Sequence, residues 1–329
     1  HQQCDCYLIS GPDPGYFTHY KLWDFRNASQ IHPQPASPRT VTTNITTLLT
    51  PDADTDNLYT TMNLFSQTPF SKDWRVQTWG RAADPLLAPI PMTNSESNVF
   101  MHTPRSSSSS SSSSQDKNQQ PNSFLVLRTT RFINHATTAE IESQFGLIDH
   151  CSLRLHMPPS PAPPSSPPSS LPSTPPPHPG KGKPNKVPSG TCAGVFTYRS
   201  STCESDIEIL TSDDPHTIHY ANQPDYDPIN DRIIPGASAV VNLTRPWTEW
   251  TTHRLDWLTD QSRWYADNVL QTAKRYRVPD QPSIIVINLW SNGGAWTGDL
   301  RVGESVYLGI EWMELVYNLS SSSSSSISS

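Results

Sequence analysis

Short stretches of β-branched, aromatic and alternating polar residues, each closed by Gly, Pro, Asn or Asp, fill most of the non-repetitive chain. This pattern constrains the fold more than any other feature, because it is the signature of strands joined by turns. Ser123–Phe132 (SFLVLRTTRF), Gly194–Tyr198 (GVFTY), Glu204–Leu210 (ESDIEIL) and Ser283–Trp290 (SIIVINLW) read as strands. Asp149–His156 alternates through Cys151, Leu153 and Leu155. Thr252–Leu258 and Ser262–Ala266 form a hairpin around Thr259-Asp260-Gln261, and Asp267-Asn268 turns the chain into Val269–Thr272. Both turn residues tolerate the left-handed conformation that tight turns need. Ser305–Tyr317 reads as one long strand. Helical periodicity is almost absent, and its best short candidate, Ala136–Glu142, competes with a strand reading. Many strands with such turns predict an all-β protein, a β-sandwich or jelly roll.

Three tracts do not fit a packed sheet. Ser106–Ser114 is unbroken serine, Pro158–Pro188 is mostly proline and serine, and Ser320–Ser329 is serine except for Ile327. They bury too little apolar surface to offset their ordering entropy. The expected organisation is a single β domain over 1–319, interrupted at 105–120 and 157–190, with a serine-rich tail at 320–329. Proline cannot donate to a ladder, so the second insertion leaves the sheet in extended form.

The formal net charge is −7, with scattered basic residues, which disfavours nucleic acid and anionic membranes as partners. No apolar run reaches the ~18–20 residues of a membrane span. Ten Trp and eleven Tyr suit an uncharged polymer, since flat rings stack on sugar faces, although the same rings also fill cores. The chain opens on His1 without a basic-then-apolar leader, as a processed secreted chain would. Sequons at Asn27, Asn44, Asn242 and Asn318 agree with export. Cys4, Cys6, Cys151, Cys192 and Cys203 are then expected to be mostly bridged, with one left over. No CxxC pair suggests zinc, and no metal or cofactor is expected.

Glu204, Asp206 and Glu208 stand at i, i+2 and i+4, which places them on one face of a strand, with Ser205 and Ile207 on the other. The two glutamate Cα atoms are ~13 Å apart along the strand. Leaning inward over a concave sheet, their carboxyls approach the ~5–5.5 Å of a retaining glycosidase. Three like charges on one face force at least one proton to stay bound, as general acid catalysis requires. An exposed acidic strand or a cation site would use the same residue types.

Glu204-x-Asp206-x-Glu208 resembles the signature of glycoside hydrolase family 16, which includes lichenases, laminarinases and wall transglycosylases. Phe196-Thr197-Tyr198 precedes it and His219-Tyr220-Ala221-Asn222 follows it, as in that family's order. Thr251–Asn268 resembles its HxYxxxW…WYxDG hairpin, and Asn288–Trp296 (NLWSNGGAW) its substrate segment. The CDCYL start and ESDIEIL core are similar to a fungal subgroup. The resemblance implies a concanavalin-like β-jelly roll with a concave cleft. It implies Glu204 as nucleophile, Glu208 as acid/base and Asp206 as their electrostatic partner. Phe196, Tyr198, Trp290 and Trp296 would be sugar platforms, and Tyr220, Asn222 and Asn288 hydroxyl readers. Glu140 falls where lichenases carry a substrate-contacting Glu, and Glu142 replaces their Arg. Glu311 stands where some relatives hold calcium with Asp, and no ion is expected with the longer side chain. The implied partner is β-1,3/1,4-glucan, cut by a secreted monomer without cofactor. Transglycosylation and non-catalytic glucan binding are the alternatives.

Overall fold

The computed structural model describes residues 6–11, 14–26, 69–102, 123–160 and 186–320. The serine run, most of the Pro-rich tract, Cys4 and the sequons at Asn27 and Asn44 lie outside the described residues. The longer strands, in chain order, begin with β1 (His19–Asp24), β2 (Phe124–Arg131), β3 (Ala136–Ser143) and β4 (Ile148–Met157). They continue with β5 (Cys192–Ser200), β6 (Cys203–Leu210), β7 (Thr217–Asn222), β8 (Ser238–Asn242) and β9 (Thr251–Trp257). The last are β10 (Ser262–Ala266), β11 (Val269–Lys274), β12 (Ile284–Trp290), β13 (Ser305–Ile310) and β14 (Trp312–Leu319).

One sheet has the order β11-β10-β9-β4-β14-β1. The other, curled into a half-barrel, runs β13-β2-β3-β12-β5-β6-β7-β8. The all-β jelly roll expected from the turn-punctuated strands is the observed fold. Period-two alternation explains how the sheets meet: Ile207, Val195, Ile285, Ile287 and Ile141 point down from the curled sheet. Leu153, Leu155, Leu255, Trp264 and Leu315 point up from the other, into one shared core. Truncating a fully buried aliphatic such as Ile207 costs roughly 2–5 kcal/mol by transfer and cavity terms together.

Several local expectations change. Ala136–Glu142 lies within β3 as a strand, with Ala139 and Ile141 facing the shared core. The single strand Ser305–Tyr317 is two, β13 and β14, which belong to opposite sheets. The chain crosses between layers at Glu311, whose N–H donates to the His156 carbonyl at 3.0 Å. A matching crossing follows β4, where Pro159–Ser160 leaves the first sheet to pair with Leu308 and Tyr307 of the second. The Pro-rich insertion therefore starts later than residue 157: Met157 is fully buried in β4. At its far end Val187 is already in the core. Ser320 is likewise buried, its N–H bonded to the Leu147 carbonyl at 3.0 Å, and the remainder of the expected tail, 321–329, lies outside the described residues. The Asp267-Asn268 turn takes positive φ at both residues, 47° and 66°, as its hairpin requires.

A polar tie crosses the core beneath β6. Ser205 Oγ donates to Asn222 Oδ1 and lies 2.9 Å from Ser262 Oγ of the facing sheet, while Asn222 Nδ2 donates to the Tyr276 carbonyl at 2.8 Å. All three side chains are buried, so each needs its partners. Ser205→Val should strand Asn222 Oδ1 and lower stability by about 1–3 kcal/mol. A urea midpoint that drops without a change in slope would show it; an unchanged midpoint would mean the tie contributes nothing.

Candidate active site

The strand β6 positions three carboxylates because its opposite face is committed to the core. Ser205, Ile207 and Ile209 are all fully buried on that side. Glu204, Asp206 and Glu208 therefore face the concave side, where β5 sets Tyr198, Phe196 and Gly194 opposite them. Beyond β5, strand β12 carries Ile284, Val286 and Asn288 in the same rows. Beyond β12, Glu142 and Glu140 of β3 stand opposite Val286 and Asn288. These rows floor a cleft of about 420 Å³ that holds Phe196, Tyr198, Glu204, Asp206, Glu208, Asn288 and Trp290.

Gly194 is a requirement of this floor. A Cβ there would lie 2.6 Å from Asn288 Oδ1 and 3.3 Å from the Phe196 ring. Asn288 Nδ2 donates to Glu140 Oε2 at 3.2 Å, and Trp79 Nε1 donates to Glu140 Oε1 at 2.9 Å. Burial pushes Glu140 above the ordinary carboxylate range, an effect these two donors oppose. Trp296 Nε1 donates to Glu208 Oε1 at 3.2 Å, and its ring meets the edge of His219. His219 stands opposite Glu208 on β7, with Nε2 2.6 Å from Asp213 Oδ2.

The three carboxylates resist ionising together. Burial raises Asp206 well above its usual range, and the neighbouring Glu204 and Glu208 raise it further. Gln223 Nε2 donates to Asp206 Oδ2 at 2.8 Å. Glu204 is pushed up to about 7 by burial first, then by the charges of Glu208 and Asp225, while its hydrogen bond with Asp206 works the other way. Burial also raises Glu208, opposed by hydrogen bonds with Cys192 and Trp296 and by the charge of His219. Asp206 thus keeps its proton longest and donates it toward Glu204. Glu204 and Glu208 are both held above the ordinary carboxylate range, so the set retains protons toward neutral pH, as a general acid requires.

Two expected site residues lie elsewhere. Tyr220 and Asn222 stand opposite Ile207 and Ser205, on the core side of β7. Tyr220 is fully buried and stacks on Trp264, and Asn222 belongs to the tie beneath β6. The reason is strand parity: His219, not its neighbour, shares a face with Glu208. Reading the period-two rule through His219-Tyr220-Ala221-Asn222 would have selected it. Trp79, Arg81, Met92 and Asn94 also line the cleft. Trp79 precedes the two-residue strand Gly80–Arg81, and Met92 and Asn94 belong to Met92–Asn94, which pairs in parallel with β3; short pairings of that kind leave little local signal.

Expected disulfides are absent at the buried cysteines, where Cys151, Cys192 and Cys203 are thiols. Their directions diverge: Cys203 shares the core side of β6, whereas Cys192 points toward Glu208 from the cleft side of β5. Among the described residues no group of three or more His, Cys, Asp or Glu side chains is arranged to hold a metal ion.

No family model matches the chain. The solved β-glucanase of Bacillus licheniformis superposes with a TM-score of 0.51 at 18% identity, over 78% of this chain and 96% of that one. The chain has the fold of glycoside hydrolase family 16. Similarity in sequence is more local. Curated β-glucanases of Bacillus amyloliquefaciens and Bacillus subtilis (strain 168) are each 27% identical over 135 residues. That stretch is 38% of this chain and 52% of each relative, so the chain spans about half the length of the curated relatives it matches.

The cleft generates two predictions. Gly194→Ala should displace the Asn288 amide and the Phe196 ring while the protein stays folded. Weaker binding of oligosaccharides in calorimetry, with an unchanged melting temperature, would show that; unchanged binding would count against the cradle. The second concerns pH. Glu204 titrates near 7 in the fold against an ordinary 4.5, so the folded state binds a proton that the unfolded chain has already lost. Its contribution to stability therefore falls as pH rises from about 4.5 to about 7 and stays low above that. Glu204→Gln should flatten this slope and gain on the order of 1–3 kcal/mol at neutral pH, read from unfolding curves across the pH range.

Proposed function

We infer that this protein is a retaining endo-glycosidase that hydrolyses β-1,3/1,4-glucan by double displacement. The observation that carries this reading is the placement of Glu204, Asp206 and Glu208 side by side on the cleft face of one buried strand. Glu204 attacks the anomeric carbon to form a glycosyl-enzyme while Glu208 protonates the departing oxygen. Glu208 then takes a proton from water, which releases the sugar with its original anomeric configuration. Asp206 supports Glu204 in both steps by offering and withdrawing a hydrogen bond as the charge of Glu204 changes.

The cleft supports a polymer rather than a monosaccharide. It reaches from β6 across β5 and β12 to β3, roughly 14 Å at the usual strand spacing. Trp79, Tyr198 and Trp296 present exposed rings beside it, and such rings bind sugar faces by stacking. Phe196 and Trp290 are half-buried between them. Similarity to the Bacillus β-glucanases supports glucan as the polymer. Export agrees with the sequon at Asn242, which is exposed at the end of the edge strand β8.

The test is incubation with laminarin, barley mixed-linkage glucan, xyloglucan and chitin oligosaccharides, with products separated by chromatography and anomers followed by NMR. The β-anomer should appear first from a glucan and vanish with Glu204→Gln. Glu208→Gln should lose about 10²–10⁴-fold on glucan, the usual contribution of a general acid. Larger products formed only with acceptor sugars would replace hydrolysis by transglycosylation. Binding without cleavage across pH 4–7 would leave a glucan-binding protein.

A further inference from the structure

The proposed mechanism needs one oxygen of Glu208 to hold a proton toward the substrate, and the surroundings of that carboxyl are asymmetric. Cys192 Sγ donates to Glu208 Oε1 at 3.4 Å, and Trp296 Nε1 donates to the same oxygen at 3.2 Å. In a carboxylic acid the proton resides on the oxygen that is not already accepting donors. Cys192 comes from the first position of β5, opposite Leu210 of β6 and Trp290 of β12. The hydrophobic neighbours of β5 therefore fix its backbone, and its side chain is fully buried.

We propose that Cys192 is a positioning residue which, with Trp296, directs the transferable proton of Glu208 to Oε2. This rests on the reading of Glu208 as the acid/base. A thiol suits the task. Burial and the adjacent Glu208 hold the Cys192 thiol well above its ordinary range, so it stays protonated and remains a donor. It is also a weak donor, which orients the carboxyl without holding it in the ionised form. The same burial makes Cys192 a poor nucleophile, so no covalent chemistry is assigned to it. Other charged groups also face Glu208: Asp206 and Glu204 along β6, His219 on β7 with Asp213 behind it, and Asp225 from the loop after β7. The contribution of Cys192 must be read against that background, which the variants below leave intact.

Cys192→Val removes the donor at the cost of one additional methyl-sized group; Cys192→Ser keeps a donor. Each is compared with wild type on barley glucan and on an aryl oligoglucoside whose leaving group needs no protonation. Cys192→Val should lose about 10-fold in kcat on glucan, less than the roughly 10²–10⁴-fold that acid catalysis supplies, because Glu208 itself remains. Its KM on glucan and its kcat/KM on the aryl substrate should change less than about twofold, because kcat/KM reads the first displacement, which for that leaving group needs no protonation. Loss of a donor to the carboxylate raises the pKa of Glu208, so the alkaline limb on glucan should move up by about half a pH unit. Cys192→Ser should restore both the rate and the limb. Equal losses on the two substrates, or an unmoved limb, would overturn the proposal.

A second measurement is independent of turnover. The infrared S–H stretch of Cys192, identified by its loss in Cys192→Ser, should shift when Glu208 is replaced in Glu208→Gln. An S–H band insensitive to that replacement overturns the proposal whatever the activity. A sensitive band in a protein that cuts no glucan would instead sustain the thiol–carboxyl contact and remove the glycosidase reading.

Discussion

Everything in the cleft depends on the register of β6. Its side chains alternate between two incompatible surroundings, a dry core below and a polar groove above. A slip of one residue would drive Glu204, Asp206 and Glu208 into the packed layer of Ile207 and Ile209, and would lift those isoleucines into the groove. Burying three unpaired carboxylates is so costly that only one register survives. The pairing of β6 with β5 and β7 passes this choice outward, since each neighbour's alternation follows from it. His219, Phe196 and Tyr198 face the cleft for that reason, and Tyr220 and Asn222 do not.

The same arrangement stores electrostatic strain where chemistry can use it. Asp206 is buried and Glu204 and Glu208 are half-buried, and among the described residues no arginine or lysine forms an ion pair with them. Protons stay bound instead, and their distribution is decided by neutral donors: Gln223 on Asp206, Trp296 and Cys192 on Glu208. The fold tolerates the cost because the layer beneath is densely packed with aliphatic and aromatic side chains. Ser205, where a purely apolar residue would also fit, adds a hydrogen-bonded tie between the sheets directly under the carboxylates. Stability below the strand and instability above it are two sides of one alternation.

The rest of the cleft is assembled from a distance. Glu140 reaches Asn288 from nearly half the chain away, and Trp79 reaches Glu140 from a segment whose short strands carry little periodicity. The two layer crossings, after β4 and at Glu311, let single runs of chain serve both sheets. Those crossings explain why one long apolar run, Ser305–Tyr317, is two strands with different neighbours. A polar residue with its backbone bonded across the gap marks the change of sheet.

Much of this was legible in the sequence because alternation and turn chemistry are local properties. The all-β class, the hairpin at Asp267-Asn268 and the shared face of Glu204, Asp206 and Glu208 follow from a period of two and from residues that tolerate positive φ. Parity would also have separated His219 from Tyr220, had it been applied to β7. Tertiary structure alone decided which strands lie beside β6, how Trp79 and Glu140 enter the cleft, and that Cys192 meets Glu208 rather than another cysteine. Those outcomes depend on contacts between residues far apart in the chain, whose closure is favoured only when both sheets pack together. No window of neighbouring residues encodes them.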